Sequence, residues 1–328
     1  MRSETFPFAE RFAVGISPLG TLAYFDTRPE PAAPASASGR SAARKPAAPA
    51  PSPTPPILLL HALGLNYTQW ELVAPELARL TRVVGVDTLG CGHSARPTEP
   101  YGLAEITESV CRLIDHLGLE RPIIVGHSFG GRIAMEVALR RPGRVSGLVL
   151  LNSAGLTNYP AFFETVGRRI LRPSLVGTLM IGVAPLFMGR IFGKKTERSE
   201  RFLKQIMQRA EAGFVYDLAN HACPMLSDLV STVVDRLPEL TLPVHVIWGD
   251  RDALMAFKNV EDALRRLPDV TIQRLPDCGH MPNLEHPEVV IAAARRLLDR
   301  VTTRATDGTL PHAGAEGSPA RPAAAHSR

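Results

Sequence analysis

The chain has 328 residues, 45% of them hydrophobic and 21% charged, enough to bury a full core as one large domain or one domain with an insertion. Its four cysteines (Cys91, Cys111, Cys223, Cys278) have no C-x-x-C and no regular spacing. That argues against a disulfide framework or a zinc site and makes a reducing, cytoplasmic location the expectation. The net charge of +5 is concentrated between residues 156 and 212, where ten Lys/Arg face four Glu. Aromatic stacking groups are not interleaved with these cations and no reader motif accompanies them, which argues against a nucleic-acid partner. A solvated helical surface explains them, or attraction of an anionic substrate or lipid surface. The first residues lack the apolar run of a signal peptide. The nearest approach to a membrane span, Pro173 to Gly189, is short and broken by Gly177, Gly182 and Pro185.

In chain order, Arg11–Ile16 and Thr21–Phe25 flank Ser17-Pro18-Leu19-Gly20 and predict an antiparallel hairpin within residues 1–27. Residues 28–56 are mostly Pro, Ala and Ser and cannot bury enough apolar surface to offset ordering entropy, so a disordered linker is expected. Ile57–His61 is a short apolar run of the kind buried on both sheet faces. A helix is expected around Gln69–Leu80, then a strand at Arg82–Asp87, a turn-rich loop through Ser94, and a helix from Leu103 to Leu117, stopped by Gly118. A further strand is expected at Val145–Leu151.

Between these last two lies the sequence Ile123-Ile124-Val125, then Gly126-His127-Ser128-Phe129-Gly130, then a run from Arg132 to Leu139 with helical apolar spacing. Strand, Gly-x-Ser-x-Gly, helix is the context that gives this motif chemical meaning. The other reading is a strand-helix turn that merely needs glycines.

After residue 152 the alternation breaks. A helical block over 156–236 is followed by a strand at Leu242–Trp248, a helix from Phe257 to Leu267, a strand at Val270–Leu275, a helix from Glu285 to Arg300 and a loose tail over 302–328. Strand-helix alternation on both sides of a helical block predicts an α/β fold with a mostly parallel sheet, helices on both faces, and an inserted helical cap between core segments 57–155 and 237–301.

A serine hydroxyl is a weak nucleophile. It needs an imidazole to take its proton and a carboxylate to orient the imidazole. Two later strand ends supply these in the order acid, histidine: Gly249-Asp250-Arg251-Asp252 and Pro276-Asp277-Cys278-Gly279-His280.

Taken with His61-x-x-Gly64, Asp87-x-x-Gly90-x-Gly92-x-Ser94 and Trp248-Gly249-x-x-Asp252, and with Pro282, Glu285 and Pro287 after Gly279-His280, the chain resembles the α/β-hydrolase superfamily. Within it, the likeness is to cap-bearing serine hydrolases: carboxylesterases, lipase-like enzymes and cofactor-free carbon–carbon bond hydrolases. The resemblance implies Ser128 as nucleophile, Asp252 as acid, with Asp250 its rival, and His280 as general base. It implies an oxyanion hole from the backbone N–H groups of Phe129 and Leu63, with His61, Gly126 and Gly130 in support. Ala62 stands where the family has glycine and requires a negative φ there. His127 is expected to pack or hydrogen-bond locally, and the Asp87–Ser94 loop to be structural.

No metal and no cofactor are implied. The implied activity is cleavage of a carboxylic ester of apolar acyl or aromatic character. The alternatives are a carbon–carbon bond hydrolase of meta-cleavage type, whose elbow usually reads Gly-Asn-Ser-Met-Gly, and a non-catalytic binding module. Epoxide hydrolases and haloalkane dehalogenases carry aspartate at the position of Ser128. The apolar cap residues, among them Leu175, Met180, Phe187, Ile191 and Phe192, either pack on the core or wall a pocket for the apolar part of a small-molecule substrate, with peripheral membrane contact through the cap a further expectation.

Overall fold

The computed structural model describes residues 6–28, 54–99, 101–157, 191–194, 196–209 and 231–307. Eight strands form one sheet: β1 (Glu10–Ser17), β2 (Gly20–Asp26), β3 (Ile57–Leu60), β4 (Val83–Val86), β5 (Ile123–His127), β6 (Gly147–Leu151), β7 (Val244–Gly249) and β8 (Val270–Leu275), in the order β1-β2-β4-β3-β5-β6-β7-β8. The β1–β2 hairpin is antiparallel and β2 joins β4 antiparallel; every pairing from β4 through β8 is parallel.

The strand residues alternate between two cores, as a period of two requires. Leu58, Leu60, Ile124, Leu148 and Val246 face the helices α2 (Leu103–His116) and α3 (Phe129–Arg140). Ile57, Leu59, Ile123, Val149 and Ile247 face α1 (Ala74–Ala78) and the C-terminal helix. Both sets are fully buried, and each such side chain contributes about 1.5–3 kcal/mol of transfer free energy. This is why these strands read as unbroken apolar runs.

Three helices differ from the pattern reading, each for a local reason. The segment 69–80 is a 3-10 turn at Tyr67–Trp70 followed by the short α1, because Pro75 lacks the N–H a continuous helix would use. The segment 257–267 holds a 3-10 turn, Phe257–Asn259, and a single α turn, α5 (Glu261–Leu264), separated where Val260 leaves helical geometry at φ −120°. At the end of the chain Pro287 restarts the helix, giving α6 (Pro282–Glu285) and α7 (Pro287–Thr306). α7 runs past residue 302, so the first residues of the expected tail are helical.

Of the expected cap, α4 (Glu197–Arg209) and the short segments beside it are described. Ile191 and Phe192 are buried against Met281 and Leu284 of the core. The other cap residues singled out from the sequence, and with them the expectations of a hydrophobic wall and a membrane contact, lie outside the described residues, as does Cys223. No helix among the described residues is long and apolar enough to cross a membrane.

Candidate active site

Ser128, Asn152, Asp252 and His280 follow the four neighbouring parallel strands β5, β6, β7 and β8, and so lie along one edge of the sheet. Ser128 follows β5 at φ 52° and ψ −115°, a backbone conformation that few L residues adopt. The turn holds it there. Its N–H donates to the Leu151 carbonyl at 2.9 Å, and its own carbonyl accepts from Gly131 at 3.0 Å, Arg132 at 3.3 Å and Ala154 at 3.0 Å.

Glycine is obligatory on both sides of this turn. A Cβ on Gly126 would come within 2.5 Å of the Gly130 carbonyl oxygen, and one on Gly130 would collide with the carbonyls of Leu60 and His61. Gly130→Ala should therefore cost about 1–3 kcal/mol or more by overpacking and displace the loop that carries Leu63. A urea titration checks this, and an unchanged midpoint would contradict the close approach.

Asp252 follows β7 and His280 follows β8. His280 Nδ1 donates to Asp252 Oδ2 at 2.7 Å, and both side chains are buried. Asp252 Oδ1 accepts the N–H groups of Leu254 at 2.8 Å and Met255 at 2.9 Å. Burial pushes the Asp252 carboxyl up, but the hydrogen bonds from His280, Met255 and Asn152 outweigh it and hold the group below the usual carboxylate range.

Asp250 points elsewhere: it accepts from Arg274 Nε at 2.7 Å near the surface. Asp277 is paired with Lys194 and Arg251. Cys278 is buried, and its thiol is pushed far up by burial and by Glu285, which makes it a poor nucleophile.

The structure adds residues that pattern reading passed over. Asn152 follows β6 with φ 40° and is fully buried. Its Nδ2 donates to Asp252 Oδ2 at 2.5 Å and its Oδ1 accepts from Gly249 N at 3.3 Å. Glu285 accepts from Gly279 N at 2.9 Å with one oxygen and from Gly193 N at 2.7 Å with the other. The His280 N–H donates to the Ile191 carbonyl at 2.6 Å. The histidine loop and the segment Ile191–Gly193 are thus stitched together. A positive φ at a non-glycine residue after a strand is the trace Asn152 leaves; nothing in its sequence neighbourhood announces it.

The loop after β3 carries the other part of the site. His61 Nδ1 donates to the Ala62 carbonyl at 2.7 Å, and its Nε2 accepts from Thr88 N at 3.0 Å. It is a neutral brace, not a base. Ala62 is not among the residues with positive φ, so the alanine sits there without strain, and Gly64 takes the left-handed position at φ 74°. Among the described residues, the N–H groups of Leu63 and Phe129 have no hydrogen-bond partner. The Phe129 N–H is the first of α3, where the helix dipole favours negative charge.

His127 is packed in the interior, and its Nε2 donates to the carbonyl of His280 at 2.7 Å, 153 residues away in sequence. A cavity of about 650 Å³ between α4 and α6, lined by Glu71, Arg198, Phe202 and His286 among others, includes none of Ser128, Asp252 and His280.

Glu10, Asp87 and His93 bring potential metal-ligating atoms within 4.8 Å of one another. Their oxygens already accept protein donors: Tyr67 N–H at 2.7 Å and His93 N–H at 2.9 Å on Asp87, and Tyr67 O–H at 2.7 Å on Glu10. The group is accounted for as a brace of the loop after β4.

The buried titratable groups set an acid-side stability trend. Burial lowers His61 to about 4 and, with His280 nearby, lowers His127 to about 3. Below the ordinary histidine value of about 6.5 the unfolded chain takes up protons at both positions and the native state does not, so stability falls as pH falls. Asp87 works against this. Burial raises it to about 7, despite the N–H groups of His93 and Tyr67, so it holds a proton in the native state that the unfolded chain releases above about 4. For these three groups the balance is about one proton taken up on unfolding, or about 1.4 kcal/mol lost per pH unit between about pH 6 and 4.5, and the lowered His245 and Asp252 act in the same direction. Urea midpoints across that range measure it; a flat or inverted slope would show these histidines to be charged in the native state.

A strained serine elbow above a mostly parallel sheet, with a buried Asp–His pair on the next strand ends, defines an α/β hydrolase. The family model for the alpha/beta hydrolase fold matches residues 55–287, and the chain belongs to that family. It is 29% identical over 244 residues to the dihydrolipoyllysine-residue acetyltransferase component of an acetoin cleaving system from Pseudomonas putida, covering 72% of this chain and 61% of that relative's length. It is 30% identical over 241 residues to a 2-hydroxymuconate semialdehyde hydrolase of Pseudomonas putida, covering 71% and 83% of the two chains. Among solved structures it is similar to a thermophilic esterase from Thermogutta terrifontis, with a TM-score of 0.64 and 24% identity over 90% of this chain and 99% of that one, a likeness of fold alone.

Proposed function

We propose that this hydrolase cleaves carboxylic esters with an apolar acyl or aromatic part through Ser128, His280 and Asp252. Ser128 Oγ attacks the ester carbonyl and gives its proton to His280 Nε2. The tetrahedral oxyanion accepts the N–H groups of Leu63 and Phe129, and collapse expels the alcohol, which takes the proton from His280. Water then attacks the acyl-enzyme with His280 as base, releasing the acid and restoring the serine. The observation that carries the reading is the buried His280 Nδ1–Asp252 contact of 2.7 Å. It fixes the tautomer that leaves Nε2 free to take a proton.

A second reading, hydrolysis of a carbon–carbon bond in a meta-cleavage product, is favoured by the 30% identity to the 2-hydroxymuconate semialdehyde hydrolase. Against it stand His127 and Phe129 in the elbow, where such relatives usually carry Asn and Met.

Fluorophosphonate labelling followed by a panel of p-nitrophenyl esters of increasing acyl length, run beside a ring-cleavage dienoate, separates the readings. Labelling at Ser128 with ester turnover supports the first, and turnover of the dienoate alone supports the second. An unlabelled, inactive chain would refute both.

A further inference from the structure

The carbonyl oxygen of His280 is held by a side chain from the elbow, and that side chain is held by one from the segment after β3. Gln69 Oε1 accepts the Ala62 N–H at 3.1 Å. Its Nε2 therefore faces His127 Nδ1, at 3.4 Å. A carboxamide NH₂ only donates, so His127 Nδ1 must be the acceptor and Nε2 must carry the proton. Nε2 does meet an acceptor, the His280 carbonyl, at 2.7 Å. Each contact thus sets the polarity of the next, and the chain closes without a mismatch.

Gln69 is 3% exposed, His127 is fully buried and His280 is 5% exposed, so water cannot substitute for any link. The backbone of Gln69 is anchored too: its carbonyl accepts from Asn283 Nδ2 at 2.8 Å, three residues beyond His280. The imidazoles of His127 and His280 lie 4.9 Å apart, centre to centre.

The two ends of this relay are the two parts of the site that must be in register for acyl transfer. Ala62 immediately precedes Leu63, whose N–H lacks a partner among the described residues. Resting on the serine-hydrolase reading, we propose that Gln69 and His127 are positioning residues: a buried relay from Ala62 N–H through Gln69 and His127 to the His280 carbonyl sets the separation between the oxyanion loop and the general base. Neither side chain touches the reacting atoms.

The test uses Gln69→Leu, His127→Phe and the double variant of the full chain, with Gln69→Met as a milder change that keeps the length of the side chain and removes both of its hydrogen bonds. kcat is normalised to sites titrated by fluorophosphonate, so loss of folded protein does not count. Each single variant should lower kcat per titrated site about 10- to 100-fold, with KM within roughly twofold. The double should be little worse than the poorer single, because the two act as a unit. The downfield proton resonance of the His280–Asp252 hydrogen bond should move in all of them.

Unchanged kcat per titrated site, additive losses, or an unmoved resonance would each overturn the relay. A wild-type chain that neither labels nor turns over ester would refute the hydrolase reading instead. The resonance would still decide whether the relay positions His280.

Discussion

Ser128→Ala is expected to abolish ester turnover, with a loss on the order of 10⁶-fold in kcat, and to leave the fold intact. The second half of that expectation is as specific as the first. The elbow is held by backbone groups: the Ser128 N–H on Leu151, and its carbonyl on Gly131, Arg132 and Ala154. Alanine keeps all of them. It also keeps the strain, because φ 52° is as uncomfortable for alanine as for serine. The melting curve should therefore stay within about 0.5 kcal/mol of wild type. Ser128→Gly is equally inactive but relieves strain of about 1–3 kcal/mol against an entropic cost of about 0.4–1 kcal/mol, so it should melt no lower than the alanine variant. Retained turnover in either would remove Ser128 from the reaction. A large drop in melting temperature for the alanine variant alone would mean that the hydroxyl, and not the backbone, stabilises the turn.

What could be read from the residues and what could not divides along contact range. The strands of the parallel sheet are legible because both faces are buried and the runs are short and apolar. The elbow is legible because its glycines are demanded by atoms within a few residues or on the adjacent strand. Asp252 could be separated from Asp250 only by resemblance; the geometry makes the distinction physical, since one carboxylate meets His280 and the other meets Arg274. Nothing in the sequence marks Asn152 or Gln69 as parts of the site. Asn152 contacts an acid 100 residues away and Gln69 a histidine 58 residues away, and no periodicity or turn rule encodes a contact at that range. Glu285 belongs to the motif after His280, but its bond from Gly193, 92 residues away, depends on tertiary packing. The helix breaks at Pro75 and Pro287 are local and could have been read from those prolines.

Asp252→Asn should lower kcat about 10⁴-fold, the size of the loss in serine proteases altered in this way, while Asp250→Asn should leave it within roughly twofold. The difference follows from the donors around each carboxylate. Asp252 Oδ1 receives the N–H groups of Leu254 and Met255, so the amide nitrogen of an asparagine cannot sit there without opposing two donors. It must take the Oδ2 place, where His280 Nδ1 and Asn152 Nδ2 both donate. His280 can answer only by turning Nδ1 into an acceptor and moving its proton to Nε2, the nitrogen that must receive the serine proton. Asn152 would also have to turn its amide, which breaks its bond from Gly249 N. The variant would thus be folded but held in the wrong tautomer, and its remaining activity should rise at high pH, where hydroxide replaces the base. Asp250 has no such company. Its partner is Arg274 at the surface, where solvent screens the pair. Equal losses in the two variants would mean that the acid acts through the field of the loop and not through the hydrogen bond to His280. A larger loss in Asp250→Asn would transfer the role to that residue and require the loop after β7 to rearrange before substrate binds.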